Sequence, residues 1–141
     1  MKTILFFNED ITFDLKNKTK IRNILNVLAQ EEKKNIGQLT YIFCSDEYLL
    51  NINKQYLKHD YLTDIITFDY TVENEISGDI FISVERVKEN AKEFNQKYFS
   101  ETLRVILHGA LHLCGYKDKT KAQQKQMRAK EDYYLEKYSK I

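Results

Sequence analysis

Two histidines and one aspartate, in the stretch His108-Gly109-Ala110-Leu111-His112-Leu113-Cys114-Gly115-Tyr116-Lys117-Asp118, constrain this chain more than any other feature. His108 and His112 are two of only three histidines, and they lie four apart in a segment that reads as helix from Ser100 to Leu113. At about 100° of turn per residue their imidazoles differ by roughly 40° around the axis and point the same way, one turn apart. One helical face can then grip one transition-metal ion. Gly115 supplies the stop, because a glycine just past a helix takes the left-handed conformation that turns the chain back. The turn returns Asp118 to the same ion.

The spacing H-x3-H-x2-G-x2-D follows the zinc signature of metzincin peptidases with two substitutions. Gly109 stands where those enzymes carry a catalytic glutamate, and Asp118 stands in place of the third histidine. Without the glutamate the usual general base of a zinc peptidase is missing, so peptide hydrolysis by that route is not expected. Asp118 remains a sound ligand, since carboxylate oxygen and imidazole nitrogen bind zinc at about the same distance. Its negative charge weakens the acidification of bound water. Cys114 adjoins the ligands, but His112 already claims the metal-facing side, and the cysteine reads as a packing residue.

A length of 141 residues suits one compact domain, 1–141. No apolar run is long enough to span a bilayer, and the N-terminus reaches Asn8-Glu9-Asp10 too soon for the apolar core of a signal peptide. A cytoplasmic location is expected. Two cysteines do not make a disulfide framework. The net charge of +1 carries no global nucleic-acid signature, but from Lys117 to Ile141 eight Lys/Arg face four acids. This basic surplus, with that of Lys16, Lys18, Lys20 and Arg22, reads as a solvated helix face. Beside a metal site it can also collect phosphate.

Apolar periodicity gives the elements. Thr3 to Phe7 and Ile11 to Leu15 read as strands joined by an Asn8-Glu9-Asp10 turn. Lys18 to Lys34 reads as a helix ended by Gly37. Leu39 to Cys44 reads as a strand, after which Ser45 or Asp46 caps a helix with Leu49, Leu50, Ile52 and Tyr56 as its apolar positions. A loop at Lys58 to Leu62 leads to strands Ile65 to Tyr70 and Ile80 to Val84. Helices follow from Val84 to Tyr98, from Ser100 and from Thr120 to Tyr138, the last with Met127, Tyr134, Leu135 and Tyr138 inward. The fold class is α+β: a mixed four- to five-stranded sheet packed with about five helices, with the metal site at the C-terminal end of one of them.

Three blocks, in order and spacing, resemble the YbeY-type bacterial ribosomal-RNA maturation endoribonucleases. They are Leu50 to Tyr56 followed by Thr63-Asp64-Ile65-Ile66-Thr67-Phe68; Ser77-Gly78-Asp79-Ile80-Phe81-Ile82; and His108 to Tyr116. The resemblance implies a zinc-dependent, single-strand endoribonuclease that holds one zinc ion and works on ribosomal RNA and the small ribosomal subunit, in maturation and quality control. It implies His108, His112 and the third position, here Asp118, as metal ligands. The chain departs from the family at three places. The family motif ends Gly-Tyr-Asp-His, against Gly115-Tyr116-Lys117-Asp118 here; a family arginine is replaced by Leu57; and the proline before Thr-Asp is Leu62.

Chemistry at such a site has two routes, attack by a zinc-activated water or by the ribose 2′-hydroxyl. Arg104, one turn before His108, is the candidate for a phosphate contact in place of the missing arginine. Asp64 and Asp79 read as turn-forming residues, with support of a ligand histidine as the alternative. His59 reads as a surface histidine that can face substrate. A non-catalytic, metal-stabilised ribosome-assembly factor that binds rRNA is the second functional expectation, favoured by Leu57. A metal-dependent peptidase is the third, opposed by Gly109.

Overall fold

The computed structural model describes residues 3–141. Its elements run β1 (Thr3–Asn8), α1 (Lys18–Glu31), β2 (Asn35–Cys44), α2 (Asp46–Leu57), β3 (Ile65–Asp69), β4 (Glu75–Ser83), α3 (Val84–Glu93), α4 (Tyr98–Leu113) and α5 (Lys121–Ser139). The four strands form one mixed sheet in the order β1-β2-β4-β3. β2 pairs in parallel with both β1 and β4, whereas β3 closes the far edge antiparallel to β4. This is the α+β class expected, with four strands and five helices. Among the described residues no helix is long and apolar enough to cross a membrane.

The stretch Ile11 to Leu15 is not a strand. β1 pairs in parallel with β2, and the chain crosses over through α1 to reach β2 without first adding a strand to the outer edge of β1. Ile11, Phe13 and Leu15 nevertheless reach the core, Phe13 against Phe43 with ring centroids 4.8 Å apart. Their period of two reports burial, not pairing. Gly37 does not end α1 either. The helix turns off at Lys33, whose φ is 60°, with the Lys34 N–H donating back to the Ala29 carbonyl at 2.8 Å. Gly37 lies inside β2, where a β carbon would come within 2.2 Å of Ser77 Oγ.

Helix caps follow the side chains available. Ser45 Oγ accepts the Tyr48 N–H at the start of α2, and Thr120 with Gln123 forms a capping box on α5. α4 starts at Tyr98, earlier than a Ser100 cap would allow. Successive residues of the strands serve opposite faces of the sheet. Ile65 packs with the main core beneath α1, α4 and α5, while Ile66 joins Leu49, Ile52 and Cys44 under α2.

Candidate metal centre

α4 is buried on most of its circumference, and its contact with the sheet is set by a glycine. A β carbon on Gly109 would lie 2.9 Å from Ile80 Cγ2, closer than real side-chain contacts tolerate, and 3.2 Å from Ile65 Cδ1, a tight contact. The position that is a catalytic glutamate in metzincins is here the point where helix meets sheet. With that face committed to β4, His108 and His112 turn into a cleft of about 660 Å³.

The helix ends by design of its last turn. The Tyr116 N–H donates to the Leu111 carbonyl at 3.1 Å and the Gly115 N–H to the His112 carbonyl at 3.0 Å, with Gly115 at φ +107°. The Tyr116 hydroxyl then anchors the returning chain on Glu32 Oε1 at 2.7 Å, and the Gln124 side-chain amide holds the Asp118 carbonyl at 3.1 Å. Asp118 is thereby brought against both imidazoles. His108 Nε2 lies 3.1 Å from Asp118 Oδ2 and His112 Nε2 3.5 Å from Oδ1. One donor atom from each residue falls within 4.8 Å of the other two, so the trio can hold a metal ion. Donors around a tetrahedral ion with bonds of about 2.1 Å sit roughly 3.4 Å apart, and two nitrogens with one carboxylate oxygen are a set that zinc accepts. The residues fit the group.

Behind His108 stands a carboxylate that the sequence reading missed. Glu131 on α5, 5% exposed, meets His108 Nδ1 at 2.6 Å through Oε2. Its other oxygen accepts from Arg104 Nη1 at 2.8 Å, and Arg104 Nη2 donates to Asp132 at 2.6 Å. A ligand histidine held at Nδ1 by a carboxylate presents Nε2 to the metal in a fixed tautomer. The missed signal is positional: Glu131 falls on the Met127, Tyr134, Tyr138 stripe of α5, where an acid is out of place unless something inside needs it.

Burial opposes a charge on His108, but the Glu131 hydrogen bond and charge, with Asp118 and Asp64 adding, raise its pKa. Burial lowers that of His112 in spite of Asp118. Asp64 forms part of the cleft wall, where burial raises its pKa against the pull of His108. Its carboxylate accepts from Asn90 at 3.4 Å and its carbonyl accepts the Ser83 N–H at 3.0 Å, which continues the β3–β4 pairing by one rung rather than making the expected turn. The carboxylate on a ligand histidine is Glu131, not Asp64. Asp79 sits in the β4 ladder opposite Thr40 and Phe68 and does not line the cleft.

Arg104 does line the cleft, but it is 17% exposed and committed to its two acids. Leu57, His59, Lys119 and Arg128 also line the cleft. Cys114 packs against the core; burial foremost, then the charge of Glu32, pushes its thiol up to about 12, and it takes no part in the ligand group.

A model of the endoribonuclease YbeY family matches residues 4–139. The chain is 56% identical over 126 residues to the endoribonuclease YbeY of Flavobacterium johnsoniae, spanning 89% of this chain and 91% of that one. It is 54% identical over 135 residues to the endoribonuclease YbeY of Cytophaga hutchinsonii, spanning 95% and 94%. Among solved structures, the solution structure of the Thermotoga maritima protein TM1509 matches with a TM-score of 0.66 at 29% identity, over 96% of this chain and 88% of that one. A metal-competent cleft and a match along nearly the whole chain thus lead to one assignment: the chain belongs to the endoribonuclease YbeY family.

Proposed function

We propose that this protein is a zinc-dependent endoribonuclease that cleaves single-stranded RNA in small-subunit rRNA maturation and ribosome quality control, in the cytoplasm. One observation carries the reading: His108, His112 and Asp118 converge within 4.8 Å on a cleft wall, in a member of an endoribonuclease family. A zinc ion there would supply an acidified water and polarise a phosphoryl oxygen. His108 and His112 would hold the ion through Nε2 as neutral rings, with Glu131 keeping the His108 proton on Nδ1. Asp118 contributes a negative charge that tempers the acidity of the bound water. Lys119 and Arg128 place positive charge along the cleft, where a phosphate backbone can run. Arg104 would contact phosphate only if Nη2 left Asp132, with Nη1 staying on Glu131.

The test is metal analysis of the purified chain with cleavage of a ribosomal RNA precursor by wild type and His112→Ala. The expected result is one zinc per chain in the wild type, and loss of both zinc and cleavage in the variant with the fold retained. Cleavage that persists in His112→Ala overturns the reading. Leu57, standing where the family has an arginine, favours a second reading in which the metal is structural and the chain binds rRNA during assembly. That reading expects RNA association that survives chelation, with no cleavage above background.

A further inference from the structure

In the wall of the same cleft as His108, His112 and Asp118, the loop after α2 is held by a hydrogen bond from a buried side chain. Lys58 closes α2 in the left-handed conformation, and the His59 N–H donates to the Asn53 carbonyl at 3.0 Å. The Asn53 side chain, 2% exposed, then donates to the Tyr61 carbonyl at 2.9 Å. One buried asparagine thus clamps the loop at two points. What it presents is a pair of rings. His59 and Tyr61 lie 5.2 Å apart at an interplanar angle of 22°, and the Tyr61 hydroxyl shares a hydrogen bond with His59 Nδ1 at 3.0 Å. Both rings line the cleft and both are exposed, Tyr61 at 56%.

We propose that the stacked His59–Tyr61 pair is a nucleobase-binding subsite, on which one unpaired base of the RNA strand stacks while its phosphates follow Lys119 and Arg128 past the metal trio. Base-on-aromatic stacking suits a strand without a duplex partner, because it needs a free π-face and is tolerant of sequence. Of the two acids between α2 and β3, Asp60, which lies between the two rings in sequence, is paired with Lys54 at 3.4 Å, and Asp64 accepts from Asn90. With Leu57 unable to contact phosphate, stacking on this wall supplies positioning that charge does not. The subsite rests on the nuclease reading and deepens it.

The experiment measures binding of the zinc-loaded full chain to a fluorescent 2′-O-methyl single-stranded oligoribonucleotide, a probe that resists cleavage, by anisotropy. Tyr61→Ala is expected to weaken binding about tenfold, the loss of one stacked base, with the salt dependence unchanged. Tyr61→Phe should bind like wild type, and His59→Ala should show an intermediate loss. An abasic version of the probe should not distinguish the variants. Equal affinity of Tyr61→Ala and wild type overturns the subsite, as does an equal loss on the abasic probe. A loss in Tyr61→Phe as large as in Tyr61→Ala overturns it too, because the ring is then not the binding element. Absence of any binding by wild type removes the nuclease reading together with the subsite; binding that ignores Tyr61 removes the subsite alone.

Discussion

In the proposed metal site, Glu131 decides how good a ligand His108 is. Replacement by Gln keeps an acceptor within reach of Nδ1 but removes the charge that raises the basicity of the ring. Zinc affinity of Glu131→Gln is expected to fall by about 10- to 100-fold, read by competition with a chelating dye. Undiminished affinity would show that Glu131 only fills space between α4 and α5. Asp118 sets the charge of the site instead. Asp118→His restores the three-imidazole set, keeps the metal and raises the net positive charge by one unit. The acidic limb of the pH–rate profile should therefore move to lower pH; an unchanged profile would argue that the bound water is not the group being titrated.

Among the elements, α4 carries the heaviest constraint, because it must touch β4 on one side and offer two imidazoles on the other. Gly109→Ala puts a methyl group 2.9 Å from Ile80 Cγ2 and should cost about 1–3 kcal/mol by urea unfolding, since helix and sheet must part. A stable Gly109→Ala variant would mean the helix has room to shift. The periodicity of α4 was readable from its apolar positions, and so was the approximate position of its stop, whose φ of +107° at Gly115 few other residues adopt. The strand expected at 11–15 was not there, for the complementary reason. Alternation records which side chains face the core, while a strand also needs its backbone paired, and this stretch joins no strand although β1 is an edge strand of the sheet.

For the molecule as a whole, Glu32 joins the end of α1 to α5 and to the metal loop. Its carboxylate accepts from the Tyr116 hydroxyl, from Lys130 Nζ at 3.0 Å and from the Tyr134 hydroxyl at 2.9 Å. Burial works to raise its pKa, but these donors overcome it and the folded value lies below the ordinary 4.5. The stability it contributes is therefore present above that ordinary value and is lost as pH falls through the lower folded value. Glu32→Gln should unfold more easily than wild type at neutral pH, with the difference shrinking as the pH drops below about 4.5, as read from urea midpoints. A difference that stays constant with pH would remove the charge from the account. The sequence alone picked out the trio, because eleven residues of one helix and one turn set its spacing through bond rotation and near-neighbour hydrogen bonds, with the distant Glu32 then anchoring the turn. Tertiary structure alone decided what surrounds that trio: Glu131 behind His108, the pressure of Ile80 on Gly109, and the clamped rings in the cleft wall. Those partners lie tens of residues apart along the chain, and only the packing of helices on the sheet brings them together.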